Sequence, residues 1–136
     1  MQDPLPILVG GKGERMLGIV ARHAQEWNMW ASAETLRERS SVLARQCEAI
    51  GRDPATIERS VQAIVHVTDD VSAAQAVIEA VAPRPVFAGP AERFADMVAE
   101  WAEAGATEIV VPDFAMSKGQ QRLDDMDALL AAGRSV

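Results

Sequence analysis

The stretch Gly10-Gly11-Lys12-Gly13-Glu14 has the residue types and order to bind an anion. It follows a short apolar run and precedes a helical pattern. A glycine turn in that setting exposes backbone N–H groups at a helix start, which suits a phosphate, and Lys12 can add a positive charge. The pattern is neither a Walker A loop nor the full dinucleotide fingerprint, because the later residues of both are missing. The same residues equally suit a tight strand-to-helix turn with solvated Lys12 and Glu14.

Other chemically capable residues are sparse. His23 and His66 are the only histidines. A structural role accounts for each, since acid–base work would need a carboxylate partner that no spacing indicates. Two histidines with no spaced carboxylate do not make a metal site. Ser40-Ser41 and Ser117 lack a nucleophile-elbow pattern. Asp124-Asp125 and Asp127 read as a solvated helix face. Trp27 and Trp30 can either wall an aromatic cofactor or pack in a core.

The elements around these residues alternate. Leu5 to Val9 reads as a buried strand closed by Gly10-Gly11. Glu14 to Gln25 reads as a helix with Leu17, Val20, Ala21 and Ala24 on one face. Trp27-Asn28-Met29-Trp30 is a short buried strand. Ser32 caps a helix, with Glu34 in its first turn and Leu36, Leu43, Cys47 and Ile50 as its apolar stripe. Gly51 sits at the position of a C-terminal glycine, and Arg52-Asp53-Pro54 is a stop. Val61, Ala63, Val65 and Val67 alternate with Gln62, Ile64, His66 and Thr68, which predicts one strand. Asp70 caps a helix over Val71 to Ala82, and Pro83-Arg84-Pro85 is a rigid break. Gly89-Pro90 opens a further helix with proline at its first position and Phe94, Met97, Val98 and Trp101 as its buried face. Gly105 ends it, and Glu108 to Pro112 is the next strand. A last helix over Gln120 to Ala131 carries Leu123, Met126 and Leu130 on one side. Such alternation predicts parallel strands joined by crossover helices, an α/β fold, with the strands near Ile7, Trp27 and Ile109 as parallel neighbours in one sheet.

Composition narrows the functions. With 49% hydrophobic and 24% charged residues in 136, the chain can build one ordinary core. A net charge of −7 opposes binding to nucleic acid or to an anionic membrane. No apolar run approaches the ~20 residues of a membrane span. Met1-Gln2-Asp3-Pro4 shows neither the basic nor the apolar part of a signal peptide. The single cysteine, Cys47, fits a small core residue and a reducing cytoplasm.

Taken in order, these segments resemble the luciferase-like monooxygenase superfamily. The resemblance runs through Pro6 to Gly11, Gly13-Glu14, Leu17, Val20-Ala21-Arg22-His23-Ala24 and Trp27-Asn28, with Gln25-Glu26 replacing the usual Asp-Gly. It continues through Cys47-Glu48, Gly51-Arg52-Asp53-Pro54 and Ile57-Glu58-Arg59-Ser60, a segment similar to deazaflavin-dependent actinobacterial members. Gly89-Pro90-Ala91-Glu92 approximates a helix start of that family, and Ala104 to Val111 its final barrel strand. The resemblance implies a TIM-type (β/α)8 barrel holding FMN or the deazaflavin coenzyme F-420 at the C-terminal ends of its strands. Gly10, Gly11 and Gly13 would line that end, with Trp27 and Asn28 near them.

A complete barrel of this type needs ~250 residues. Residues 1–136 are therefore expected to form one domain, a partial (half) barrel equivalent to the C-terminal half. Its unpaired strand edges would require a partner: a second copy in a dimer, or a separate N-terminal half. Three functions follow: part of a flavin- or deazaflavin-dependent oxidoreductase acting on a small molecule, a non-catalytic half-barrel working as an oligomeric binding or structural module, and a standalone α/β binding domain.

Overall fold

The computed structural model describes residues 5–134, so Met1 to Pro4 and the signal-peptide reading made on them lie outside the described residues. Among the described residues six strands and five α-helices follow one another, alternating except where two strands are consecutive. They are β1 (Leu8–Gly10), α1 (Glu14–His23), β2 (Glu26–Trp30), α2 (Ala33–Glu48), β3 (Glu58–Gln62), β4 (Ile64–Val67), α3 (Val71–Val81), β5 (Val86–Gly89), α4 (Phe94–Glu103), β6 (Glu108–Val110) and α5 (Gln120–Gly133). Four strands form one parallel sheet in the order β1-β2-β3-β6, and β4 pairs with β5 in a second parallel pair. The strands near Ile7, Trp27 and Ile109 share this sheet, but only the first two are neighbours, because β3 inserts between β2 and β6.

Local sequence explains most boundaries. Ser32 Oγ accepts the Thr35 N–H at 3.2 Å, and Asp70 Oδ1 accepts those of Ser72 and Ala73 at 2.8 and 3.1 Å. Each bond satisfies a donor that a helix start otherwise leaves open. Gly51, at φ +69°, turns the chain out of α2. Arg52 then reaches back to α1, donating to the carbonyls of Ala21 at 3.0 Å and Ala24 at 2.7 Å. A guanidinium at a helix C-terminus both fills open acceptors and meets the negative end of the helix dipole.

The core lies between the four-stranded sheet and helices α1, α2 and α4. Leu17, Val20, Trp27, Leu36, Leu43 and Val61 are fully buried there. Cys47 is buried among them, as a small core residue should be. Burial pushes its thiol up from the ordinary value, while the Arg52 and Arg59 charges pull it partly back.

Several expectations need correction. The single strand over residues 61–68 is two, interrupted at Ala63, where β4 leaves the sheet to pair with β5. Ala63, Ile64 and Val65 are all fully buried there, so the alternation of faces stops. The second miss is β5 itself, hidden between Pro83-Arg84-Pro85 and Gly89-Pro90, whose turn chemistry masks four residues of strand. Pro90 is extended and precedes a 3-10 turn at Ala91–Arg93, so the helix proper begins at Phe94 rather than around Pro90. Third, Ile50 is 47% exposed, because α2 stops at Glu48 and the Gly51 turn carries Ile50 outward. Last, α5 buries Asp125 and Leu129, while Leu123, Met126 and Leu130 are exposed. The helix packs on α4 and the turn before it through the 125–129 row, which leaves the predicted stripe uncovered.

Candidate functional site

Side chains alternate along a strand, so β2 sends Trp27 and Met29 to one face and Glu26, Asn28 and Trp30 to the other. The Trp27 face is the helix-covered core. The other face faces away from the helices. Register places Gly10, Asn28, Ser60 and Glu108 in one row across β1, β2, β3 and β6. Asn28 Nδ2 donates to Ser60 Oγ at 2.7 Å, and both side chains are buried. A buried amide needs such a partner, and the bond fixes its orientation.

The glycine turn stands at the C-terminal edge of this face. Gly11 adopts φ +129°, a conformation that excludes other residues, and a Cβ there would press on Met16 Cγ at 3.1 Å. Two bonds hold the turn: Gly11 N–H donates to Asn28 O at 2.9 Å, and the Trp27 indole N–H donates to Gly11 O at 2.7 Å. Gly13 differs. Its φ is −71°, which any residue can adopt, and nothing lies within 4 Å of where its Cβ would stand. It starts α1 with no side-chain cap, so no side chain at the cap position satisfies the first-turn N–H groups.

An open cleft of about 420 Å3 lies over this edge, lined by Gly10, Gly11, Lys12, Asn28, Trp30 and Gln62 among others. Trp30 also meets the Phe114 ring, centroid to centroid 6.4 Å. Of the five residues expected at the site, Gly10, Gly11 and Asn28 line the cleft and Gly13 opens α1 beside them. Trp27 lies behind, fully buried, and touches the site only through its hold on Gly11. Sequence reasoning passed over Ser60 and Gln62. The polar half of the period-two pattern around Val61 was their signal, and it needed the β2–β3 register to gain meaning.

Among the described residues the remaining titratable groups assemble no metal-binding cluster. His66 Nδ1 lies 3.1 Å from Ala115 O, a backbone partner that ties β4 to the turn after β6. Among the described residues no cluster of His, Cys, Asp or Glu could hold a metal, and no helix is long and apolar enough to cross a membrane. A larger cleft, about 500 Å3, runs between α4, α5 and β6 and is walled mainly by apolar side chains such as Val98, Ile109 and Leu129. It lies away from the glycine turn and offers few polar groups to orient a reactant.

The family model for luciferase-like monooxygenases matches residues 1–134. No curated protein matches the chain in sequence. Among solved structures, an F420-dependent secondary alcohol dehydrogenase in complex with an F420-acetone adduct superposes with a TM-score of 0.76 at 14% identity, over 98% of this chain and 50% of its own. A long-chain alkane monooxygenase gives 0.73 at 13% identity, over 95% of this chain and 41% of its own. A coenzyme F420 dependent tetrahydromethanopterin reductase from Methanopyrus kandleri gives 0.69 at 15%, over 94% and 49%. The chain thus spans half or less of the length of these structures. The likeness establishes an α/β fold that amounts to part of a TIM-type barrel.

Proposed function

This chain belongs to the luciferase-like monooxygenase family, and from that premise we propose that it is the C-terminal half of an oxidoreductase barrel that holds FMN or the deazaflavin coenzyme F-420. Gly10, Gly11, Gly13 and Asn28 would contact the cofactor, and Trp27 would brace the turn. One observation carries this reading: α1 starts at Gly13 with no capping side chain and open space where a Cβ on Gly13 would stand, at the C-terminal edge of a parallel sheet. Parallel α/β sheets and barrels bind ligands at that edge, and a helix start with open N–H groups suits a phosphate. Bound there, the cofactor supplies hydride transfer or oxygenation, on a small-molecule substrate in the cytoplasm. The chain's own residues bind and orient it.

The half-barrel needs a complement. β1 is an edge strand whose apolar residues Leu8 and neighbouring Ile7 are both 52% exposed. A second half-barrel chain laid along this edge would cover them and close the cofactor pocket. Absorbance titration tests the reading. The purified chain is expected to retain little FMN or coenzyme F-420 alone, and to retain one of them once mixed with an N-terminal half-barrel of the family. Failure of both cofactors to bind the completed barrel refutes the proposal.

The exposed stripe of Leu123, Met126 and Leu130 favours a second reading, a non-catalytic module that assembles with its own copies. Sedimentation over a dilution series separates the two. A tight dimer that binds neither cofactor supports the module.

A further inference from the structure

The four-stranded parallel sheet has two free edges, β1 on one side and β6 on the other. Its hydrogen bonds decide which backbone groups each edge leaves open. Thr107 N–H donates to Arg59 O at 2.8 Å, so Thr107 and Ile109 turn their N–H and C=O groups towards β3. By alternation Glu108 and Val110 turn theirs outward. At the other edge Glu26 N–H donates to Ile7 O at 3.2 Å and Gly11 N–H donates to Asn28 O at 2.9 Å. Ile7, Val9 and Gly11 thus face β2, and Leu8 and Gly10 turn outward. Open residues at alternate positions on two strands are the groups that a parallel ladder joins.

The side chains at the two edges complement each other. The apolar cleft of about 500 Å3 borders β6 and is lined by its Ile109, by Phe94 and Val98 of α4, and by Met126, Leu129 and Leu130 of α5. At the β1 edge, alternation puts Ile7 on the same helix-covered face as Val9, and Ile7 is exposed. A strand laid along β6 with that face in line with Ile109 carries such a side chain into the cleft. The helices beside the edges match as well. α1 presents Arg15, Ile19 and Arg22 at i, i+4 and i+7, all exposed. α5 presents Leu123, Asp127 and Leu130 at the same spacing, with Asp124 and Met126 alongside, all exposed. Arg15, Arg22, Asp124 and Asp127 form no ion pair among the described residues, and the Arg122 of α5 is held by Asp113 at 2.6 Å. One helix row is basic around an apolar centre, and the other is apolar around an acidic centre.

We infer that the chain closes on a second copy of itself, with β1 of each protomer laid parallel along β6 of the other. Two sheets of four strands then make one ring of eight. A two-fold axis along the strands keeps all eight parallel and forms both seams at once, so no edge remains and growth stops at two. At each seam Ile7 enters the partner's cleft, and the Arg15, Ile19 and Arg22 row of α1 meets the partner's α5 along its acidic and apolar row. A second copy is the occupant because the molecule carries both sides of the joint: strand edges of matching polarity, an apolar side chain for the cleft, and helix faces of opposite charge. This names the complement that the proposed function calls for. It rests on the half-barrel reading and not on the cofactor.

The test is sedimentation of the full chain over a dilution series at fixed ionic strength, where a discrete dimer is expected. Hydrogen exchange on the same samples should show the outward amides of Gly10 and Val110 protected in the dimer and released on dilution. Arg15→Glu/Arg22→Glu and, separately, Asp124→Arg/Asp127→Arg should each weaken the dimer roughly tenfold or more, because each sets like charges against each other at both seams. Mixing the two variants should restore the dimer, since one seam then carries the native charges and the other the same charges exchanged. Arg37→Glu/Arg45→Glu, at exposed positions of α2, should leave it unchanged. A chain that stays monomeric at every concentration or grows beyond the dimer overturns the inference. So does a dimer that survives either charge reversal, or one that mixing does not restore. Cofactor titration separates this from the proposed function. A monomer that retains FMN or coenzyme F-420 once joined to an N-terminal half overturns self-closure and leaves the cofactor reading intact. A dimer restored by mixing supports self-closure, and failure to retain either cofactor then counts against the cofactor reading alone.

Discussion

Residues 8–62 and residues 64–134 use similar residue types to different effect. In the first region α1 and α2 seal against β1, β2 and β3, and Leu17, Val20, Trp27, Leu36, Leu43 and Cys47 are fully buried. In the second, α3 is apolar along most of its length yet has no buried residue, and Val71 is 83% exposed. The stripe of α5 is likewise open. An amphipathic or apolar helix is stable in water mainly through the face it buries. The helices of the first region bury a continuous face in the shared core, whereas α3 and α5 display apolar surface. The candidate site sits in the first region, where Trp27 and Asn28 hold the glycine turn in place.

This contrast can be broken most directly at Trp27. Trp27→Ala should cost about 3–5 kcal/mol, since it removes a fully buried indole and leaves a cavity. It should also release Gly11, whose carbonyl it holds. Leu130→Ala, at a 53% exposed position, should change stability by less than ~0.5 kcal/mol. Urea denaturation of both variants measures the difference, and equal costs would mean that the two regions are equally sealed.

Arg52→Ala comes next. Its guanidinium spans three carbonyls at the end of α1, from Val20, Ala21 and Ala24. Loss of charged hydrogen bonds to partly buried acceptors should cost about 2 kcal/mol. The Ala24 amide, bonded to Val20 O, should then exchange its hydrogen faster.

A smaller effect sharpens the comparison between helices. Ser32→Ala and Asp70→Ala each remove one N-cap, worth ~1 kcal/mol. In α2 packing should contain the loss. In α3, with no buried residue, it should appear as local opening, read as faster amide exchange over 71–81 with little change in global melting.

The smallest effect concerns pH. The folded Cys47 thiol holds its proton above the ordinary range, chiefly through burial. The folded state therefore binds that proton more firmly than the unfolded chain, and stability falls as pH rises past the ordinary thiol value of about 8.5. Cys47→Ser should flatten this decline in denaturation curves taken from pH 7 to 10. The native thiol should also react slowly with an exposed-thiol reagent, since little thiolate forms.

The sequence by itself determined the local choices. Strand and helix alternation, the caps at Ser32 and Asp70, the Gly51 turn and the helix-facing stripe of α1 follow from residues a few positions apart, and so does the turn at Gly10-Gly11. The succession of loose motifs also identified the family, because their order survives even where each one drifts. Tertiary structure decided what depends on distant partners. It split the strand at Ala63, since only the pairing of β4 with β5 draws the chain out of the first sheet. It turned Trp27 into a brace and Asn28 into a cleft residue, because the register of β2 between β1 and β3 sets which face is covered. It placed Lys12 and Arg84, from distant segments, on the walls of one cleft beside the α2 start. It left Leu123, Met126 and Leu130 open, because a helical stripe marks a face that can be buried, and only the neighbouring element decides whether it is.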